Sequence, residues 1–200
     1  MLTEFVIQRK REYKIIPPER QKELGKLARA IERDLSLECS ADLIFICTHN
    51  SRRSHMAQIW AQFAATHNHL EGVRCFSGGT EATAFSPSAV EALKSSGLSI
   101  EQMDESDNPE YQVGIPGQED FLTVFSKRYE DPPNPTRNFI AVMTCSDADD
   151  ACPVVEGASS RYAITYDDPK VYDGTPEERS GYHERSRQIA REMLYLFSNI

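Results

Sequence analysis

The apolar run LIFIC, residues 43–47, ends in a cysteine and opens directly into the polar loop THNSRRS and a helix-like stretch. No other feature restricts the fold of this chain as strongly. An unbroken apolar run of that length suits a strand buried on both faces, as in a parallel sheet covered by helices. The same grammar recurs downstream. RSHMAQIWAQFAATH places Met56, Ile59, Trp60 and Phe63 at helical spacing, and GVRCFSGG reads as a second short strand ending in glycines. SPSAVEALKSSG carries a serine cap, an early proline and a glycine stop, the signals of a helix. NFIAVMTC is another apolar strand ending in a cysteine, and RYAITYDDP is a shorter strand. The stretch from Glu177 onward is a long closing helix with Ile189, Met193, Leu196 and Phe197 on one face. Strands alternating with helices predict an α/β fold with a central parallel sheet of about four strands and helices on both faces.

Residues 1–40 read as an N-terminal helical extension to an α/β domain over residues 41–200. Within the extension, PPERQKELGKLARAIERDLS places Leu24, Leu27, Ala28, Ile31 and Leu35 at helical spacing after two prolines, so one amphipathic helix is expected to cover the main body. Residues 101–137, rich in Pro, Asp and Asn, are expected to form a long, partly irregular connection near the edge of the site. The net charge of -9 argues against a general nucleic-acid binder, which needs a basic field. No apolar run approaches the roughly 20 residues of a membrane span, and the N-terminus lacks the pattern of a secretory signal. A cytoplasmic setting is therefore expected, in which five cysteines are more readily buried, catalytic or metal-binding than disulfide-bonded.

In doubly wound sheets, ligands bind beyond the carboxyl ends of the strands. Cys47, Cys145 and Asp168 all fall at or just past such ends. A loop running from a strand into a helix N-terminus aims backbone N–H groups at one point and adds the helix dipole, which makes an anion site. The same donors stabilise a thiolate at Cys47. Arg53 supplies a planar fork suited to a tetrahedral oxyanion, Ser54 a hydroxyl for the thiolate, and Asn50 a side chain able to tie the loop to itself.

The stretch CTHNSRRS, a cysteine followed after five residues by Arg53 and Ser54 and set between a strand and a helix, resembles the signature loop of the low-molecular-weight protein tyrosine phosphatase superfamily, which includes the thioredoxin-coupled arsenate reductases. The resemblance spans roughly residues 42–200, with 101–137 poorly matched. It implies that Cys47 is the nucleophile and that Thr48, His49, Asn50, Ser51, Arg52, Arg53 and Ser54 form the oxyanion-binding loop. It makes Asp168, directly before Pro169, the general acid, and leaves Asp167 a structural role. Arg52 is a departure, because the family usually has a second cysteine there; an in-loop disulfide partner is absent and positive potential is added at the mouth. TCSDADDACP, with Cys145 and Cys152 seven apart, resembles the redox segment of the reductases and reads as a polar loop; the spacing is poor for a zinc knuckle.

The implied function is reduction of arsenate to arsenite through a Cys47–Cys145–Cys152 disulfide relay. The alternative is a tyrosine phosphatase working through a phosphocysteine, weakened because DPKVYDG offers Lys170 first and a tyrosine only at Tyr172. The resemblance implies no metal and no bound cofactor. Its partners are an arsenate- or phosphate-type oxyanion and an external thiol reductant such as thioredoxin, with no nucleic acid and no membrane. Ser77 matches a position that in the reductases contacts the loop or a potassium ion; Gln58 stands where they often have Glu, so no potassium site is assigned. Cys39 and Cys75 receive no role, Cys75 reading as a small buried hydrophobe. His49 and His55 flank the loop, where they could tune the thiolate.

Overall fold

Strand β1 (Ala41–Cys47), preceded by helices α1 (Leu2–Arg11) and α2 (Pro18–Glu38), takes an inner place in the sheet because residues 43–47 offer no polar face. The structure, a computed structural model, describes residues 1–200, with the side chain of Ala151 excepted. Downstream of β1 come α3 (Arg53–His67), β2 (Val73–Gly79), α4 (Pro87–Ser95), β3 (Ser99–Gln102), β4 (Tyr111–Gly114) and β5 (Leu122–Val124). The chain closes with β6 (Phe139–Met143), α5 (Ser146–Ala151), β7 (Ala158–Ala163) and α6 (Glu178–Phe197). Strands β2-β1-β6-β7 form one parallel sheet, with Leu43 opposite Cys75 on one side and Ile140 on the other.

Alternation along the strands divides the core. Leu43, Phe45, Cys75, Ile140 and Val142 join the buried side chains of α2, α3, α4 and α6 on one face. Ile44, Ile46, Ala141 and Met143 turn to the other face, covered by Ala148 of α5, Val155 and Tyr129. Helices therefore lie on both faces, as the alternation predicted, although most of the helical mass is on the first.

Three regions differ from expectation. Residues 1–40 hold two helices rather than one; α1 has only Val6 and Arg9 buried, too few to print a periodicity. The 101–137 connection is more ordered than expected: β3, β4 and β5 make a separate antiparallel sheet. Its strands are three or four residues long, so period-two alternation barely has room to show. Residues 145–152 are not a loop but the helix α5 with both cysteines at its ends, Cys145 capping the start and Cys152 the finish. The last strand also ends at Ala163, earlier than RYAITYDDP suggested. The chain then runs on with Ile164 N donating to Met143 O (2.9 Å) and Tyr166 N to Thr144 O (3.0 Å).

Candidate active site

The loop between β1 and α3 is held from outside by its carbonyls. Thr80 N donates to Cys47 O (3.1 Å), Glu81 N to Thr48 O (2.8 Å) and Ser86 N to Ser51 O (2.9 Å). His49 O accepts from the hydroxyls of Thr83 (3.0 Å) and Ser126 (3.2 Å). Among the described residues, no protein acceptor takes the N–H groups of residues 49–52, so these donors are left for a ligand. Turning carbonyls out and N–H groups in requires an unusual backbone, and Asn50 supplies it at φ 44, a left-handed conformation that asparagine tolerates better than most residues. The approach is so close that a Cβ at Gly79 would lie 2.6 Å from Thr48 O. Gly79 lets the loop pass, while its neighbour Gly78 makes room for the backbone of Tyr129.

The side chains lock the same shape. Asn50 Nδ2 donates to Ser54 Oγ (2.8 Å), and Ser54 Oγ lies 3.1 Å from Cys47 Sγ, so hydroxyl and thiol share a hydrogen bond. Asn50 Oδ1 accepts from Lys127 N (2.9 Å). The 15-residue helix α3 begins at Arg53 and directs its dipole toward the loop. Cys47, Asn50, Ser51, Arg53 and Ser54 are all buried, whereas Thr48, His49 and Arg52 are half-buried.

Arg53 faces two ways. Its Nη1 donates to Tyr166 O (3.1 Å) and its Nη2 to Asp168 Oδ2 (2.8 Å). Arg52, expected as a member of the oxyanion loop that adds positive potential at its mouth, also pairs with Asp168: its Nε lies 2.9 Å from Oδ1, poorly aligned for a hydrogen bond, and its Nη2 donates to Oδ2 at 3.4 Å. Asp168 additionally accepts from Lys170 N (3.0 Å), capping a short turn at Pro169. The carboxylate is thus brought to the arginine side of the loop. Asp167 is 93% exposed and pairs with Arg185 of α6 (3.1 Å), outside the loop.

Cys145 is fully buried at the end of the strand next to β1, where its Sγ accepts from Ala148 N (3.4 Å) and lies 3.6 Å from Thr48 Oγ1. Cys152 is half-buried, with its carbonyl bonded to Arg161 of β7 (3.0 Å). Cys75 is buried in β2, where desolvation pushes its thiol far up; Cys39 is exposed.

The two histidines part ways. His49 is near Glu81 at the surface (3.7 Å). His55 is fully buried behind the loop, its Nδ1 3.1 Å from Ser77 Oγ and its ring on Phe85. Burial, reinforced by the Lys127 charge, holds its imidazole well below the ordinary range and therefore neutral. Gln58 donates to Cys75 O (3.0 Å), an internal bond. Among the described residues, no group of three or more His, Cys, Asp or Glu could hold a metal ion, and no helix is long and apolar enough to cross a membrane.

Sequence reasoning missed Lys127, Ser126 and Asn134. Asn134 Nδ2 donates to Ser77 O (3.0 Å), and Lys127 is buried with its ammonium over the Phe125 ring. FSKRY gave no sign of this, since a lysine in a short apolar stretch ordinarily reaches solvent.

A family model for low molecular weight phosphotyrosine protein phosphatases matches residues 42–111. Over 157 residues the chain is 28% identical to an arsenate reductase of Bacillus licheniformis, covering 78% of this chain and 94% of that protein. It is 30% identical over 145 residues to an arsenate reductase of Shouchella clausii, covering 72% and 86%. A solved mutant of YwlE from Bacillus subtilis, 16% identical, has a TM-score of 0.51 over 80% of this chain and 97% of that one, a likeness of fold alone.

Proposed function

Because the chain belongs to the low-molecular-weight phosphotyrosine phosphatase superfamily, with arsenate reductases as its curated relatives, we propose that it reduces arsenate to arsenite with its own thiols. The free N–H groups of residues 49–52 and the Arg53 guanidinium hold the oxyanion. Cys47 thiolate attacks arsenic, and Asp168 gives its proton to the departing oxygen, which leaves as water. Arg52 and Arg53 keep that carboxylate aimed at the anion.

The observation that carries this reading over simple hydrolysis is Cys145, buried beside Thr48 at 3.6 Å, with a second thiol at the far end of the same helix. Cys145 thiolate attacks the Cys47 sulfur. The S–As bond breaks with its electron pair going to arsenic, arsenite leaves, and a Cys47–Cys145 disulfide remains. Cys152 then attacks Cys145, which frees Cys47 and leaves a Cys145–Cys152 disulfide for an external dithiol of the thioredoxin type. Seven steps of about 1.5 Å separate the two cysteines along α5, roughly 10 Å. A disulfide needs its Cα atoms within about 7 Å, so α5 must unwind at this step. Helices well under ~12 residues hold together mainly by tertiary contacts, so unwinding six residues is feasible.

Phosphate has the shape and charge of arsenate, and the family match makes phosphoester hydrolysis the second reading. Against phosphotyrosine as substrate, the Tyr172 ring lies down on α6, so close that a Cβ at Gly181 would come within 2.2 Å of it. The test is a side-by-side assay: arsenate-dependent NADPH consumption with thioredoxin and thioredoxin reductase, against release of p-nitrophenol from p-nitrophenyl phosphate. Turnover of the phosphate ester without arsenate-dependent consumption would overturn the reductase reading in favour of the second.

A further inference from the structure

The N-terminal extension has no part in the chemistry above, yet one of its side chains reaches the segment that carries the acid. Arg20 lies in the first turn of α2. Its Nη2 donates to Thr165 O (2.5 Å), and its guanidinium lies 5.5 Å from the centre of the Tyr166 ring. Its Nε is 3.4 Å from Glu192 Oε2 of α6, a carboxylate with only 2% exposure. Tyr166 is buried, and burial together with the neighbouring Glu192 charge pushes its hydroxyl well above the ordinary range, so it stays protonated. One residue further, Tyr166 O accepts from Arg53, whose other nitrogen holds Asp168. Thr165, Tyr166 and Asp168 are thus gripped by arginines from both sides, Arg20 from the extension and Arg53 from the anion loop.

We propose that Arg20 is a positioning residue for the general acid, and that α2 serves the site by delivering it. This rests on Asp168 acting as the acid. Three features argue that the contact is more than ordinary packing. A cation in the first turn of a helix sits at the unfavourable end of the dipole, so within α2 itself the arginine gains only a half-exposed pair with Glu23 (2.9 Å), a modest contribution. The helix is anchored without it, through the buried side chains of Leu24, Leu27 and Ile31. And the guanidinium meets three different groups of the acid segment and its support at once: a carbonyl, a ring face and a carboxylate. Only a planar fork can do so; an ammonium is a point charge and must choose.

Protonation of the leaving group matters most when that group is a poor one, which gives a readout that partial misfolding does not move. The experiment measures kcat/KM for phenyl phosphate and p-nitrophenyl phosphate in the full-length wild type, Arg20→Lys, the double variant Arg20→Met with Glu192→Gln, and Asp168→Asn. Arg20→Lys keeps a positive charge beside Glu192, and the double variant avoids stranding that buried carboxylate, a change that would destabilise the fold in its own right. Small misplacements of a catalytic group cost up to ~10²-fold. Both Arg20 variants are therefore expected to lose roughly 10-fold more on phenyl phosphate than on p-nitrophenyl phosphate. Protection of Cys47 from alkylation by inorganic phosphate should stay unchanged. Equal losses on both esters, or none, in the Arg20 variants while Asp168→Asn shows the leaving-group dependence would overturn the proposal alone. Absence of that dependence in Asp168→Asn would remove the acid assignment and the brace with it.

Discussion

Two neighbouring strands each lead into a buried cysteine, and the chain treats them in opposite ways. After β1, Cys47 enters a loop whose carbonyls are bonded outward, whose asparagine is bonded at both ends of its amide, and whose sequel is a helix of 15 residues. After β6, Cys145 enters a helix of six residues with acidic residues through it and a second cysteine at its end. The first arrangement fixes donors in space before any ligand arrives, which electrostatic stabilisation of an anion requires. The second leaves little to lose on unwinding. Under the proposed relay, one sheet thus presents a rigid strand end for binding and a yielding one for thiol–disulfide exchange.

The largest effects should separate the two ends outright. Cys47→Ser is expected to abolish both arsenate reduction and aryl phosphate hydrolysis. Cys145→Ser and Cys152→Ser are expected to abolish multiple-turnover arsenate reduction while leaving p-nitrophenyl phosphate hydrolysis near wild type. They should also differ from each other. Cys152→Ser still forms the Cys47–Cys145 disulfide and releases one arsenite, whereas Cys145→Ser stalls with arsenic on Cys47. Mass spectrometry with peptide mapping after a single arsenate exposure distinguishes these states. Wild-type arsenate turnover in both serine variants would refute the relay.

Next comes the acid. Asp168→Asn should keep anion binding and lose about 10²–10⁴-fold in turnover. Asp167→Asn should lose no more than a few-fold, because that side chain is exposed and pairs only with Arg185. The reverse order would mean that the wrong aspartate had been assigned.

The rigid strand end was largely legible in the sequence, and the yielding one only in part. Leu43 to Cys47, the polar loop and the following helix follow rules that act within a dozen residues: burial of an apolar run, an anion site at a helix start, an asparagine able to tie the loop to itself. What escaped was non-local. Lys127 N on Asn50, Ser126 on His49 O and Arg20 on Thr165 O come from segments whose approach depends on how the small antiparallel sheet and the extension fold back. At the other end, SDADDA looks like a loop because three aspartates disfavour a helix interior. It is helical because Cys145 caps it and an arginine from β7 closes over it.

Lys127 tests what makes the first end rigid. Burial pulls its ammonium down to about 8 from 10.5, against the opposing pull of Asp131 and Glu110. Between those values the unfolded chain holds a proton that the folded chain has released, so this group makes stability rise with pH across the window. Below pH 8 both states are protonated and the cost of the buried charge is complete. Lys127→Met keeps the backbone bond to Asn50. It should therefore be more stable than wild type at pH 7, by up to about 3 kcal/mol, with the advantage gone near 10.5. Urea unfolding at several pH values measures this. A constant difference across the range would mean that the ammonium is not the source of the cost.

The smallest effect concerns the clasp on the yielding end. Arg161 of β7 donates from Nε to Cys152 O (3.0 Å) and from Nη2 to Asp149 O (2.7 Å), and also pairs with the Asp149 carboxylate. All three contacts favour closed α5, and hence the dithiol form, because the Cys145–Cys152 disulfide requires the helix to open. Both side chains are about a quarter exposed, so the net contribution is modest, on the order of 1 kcal/mol. Arg161→Ala should therefore shift the thiol–disulfide equilibrium of this pair about 5-fold toward the disulfide, a potential about 20 mV more negative. Equilibration against a dithiothreitol couple reads the shift, and hydrolysis of p-nitrophenyl phosphate should not change because Arg161 touches nothing in the anion loop. A shift toward the dithiol would mean that Arg161 stabilises the open segment instead. An unchanged equilibrium would mean that α5 opens without breaking these bonds, and the contrast between the two strand ends would then lie in the helix alone.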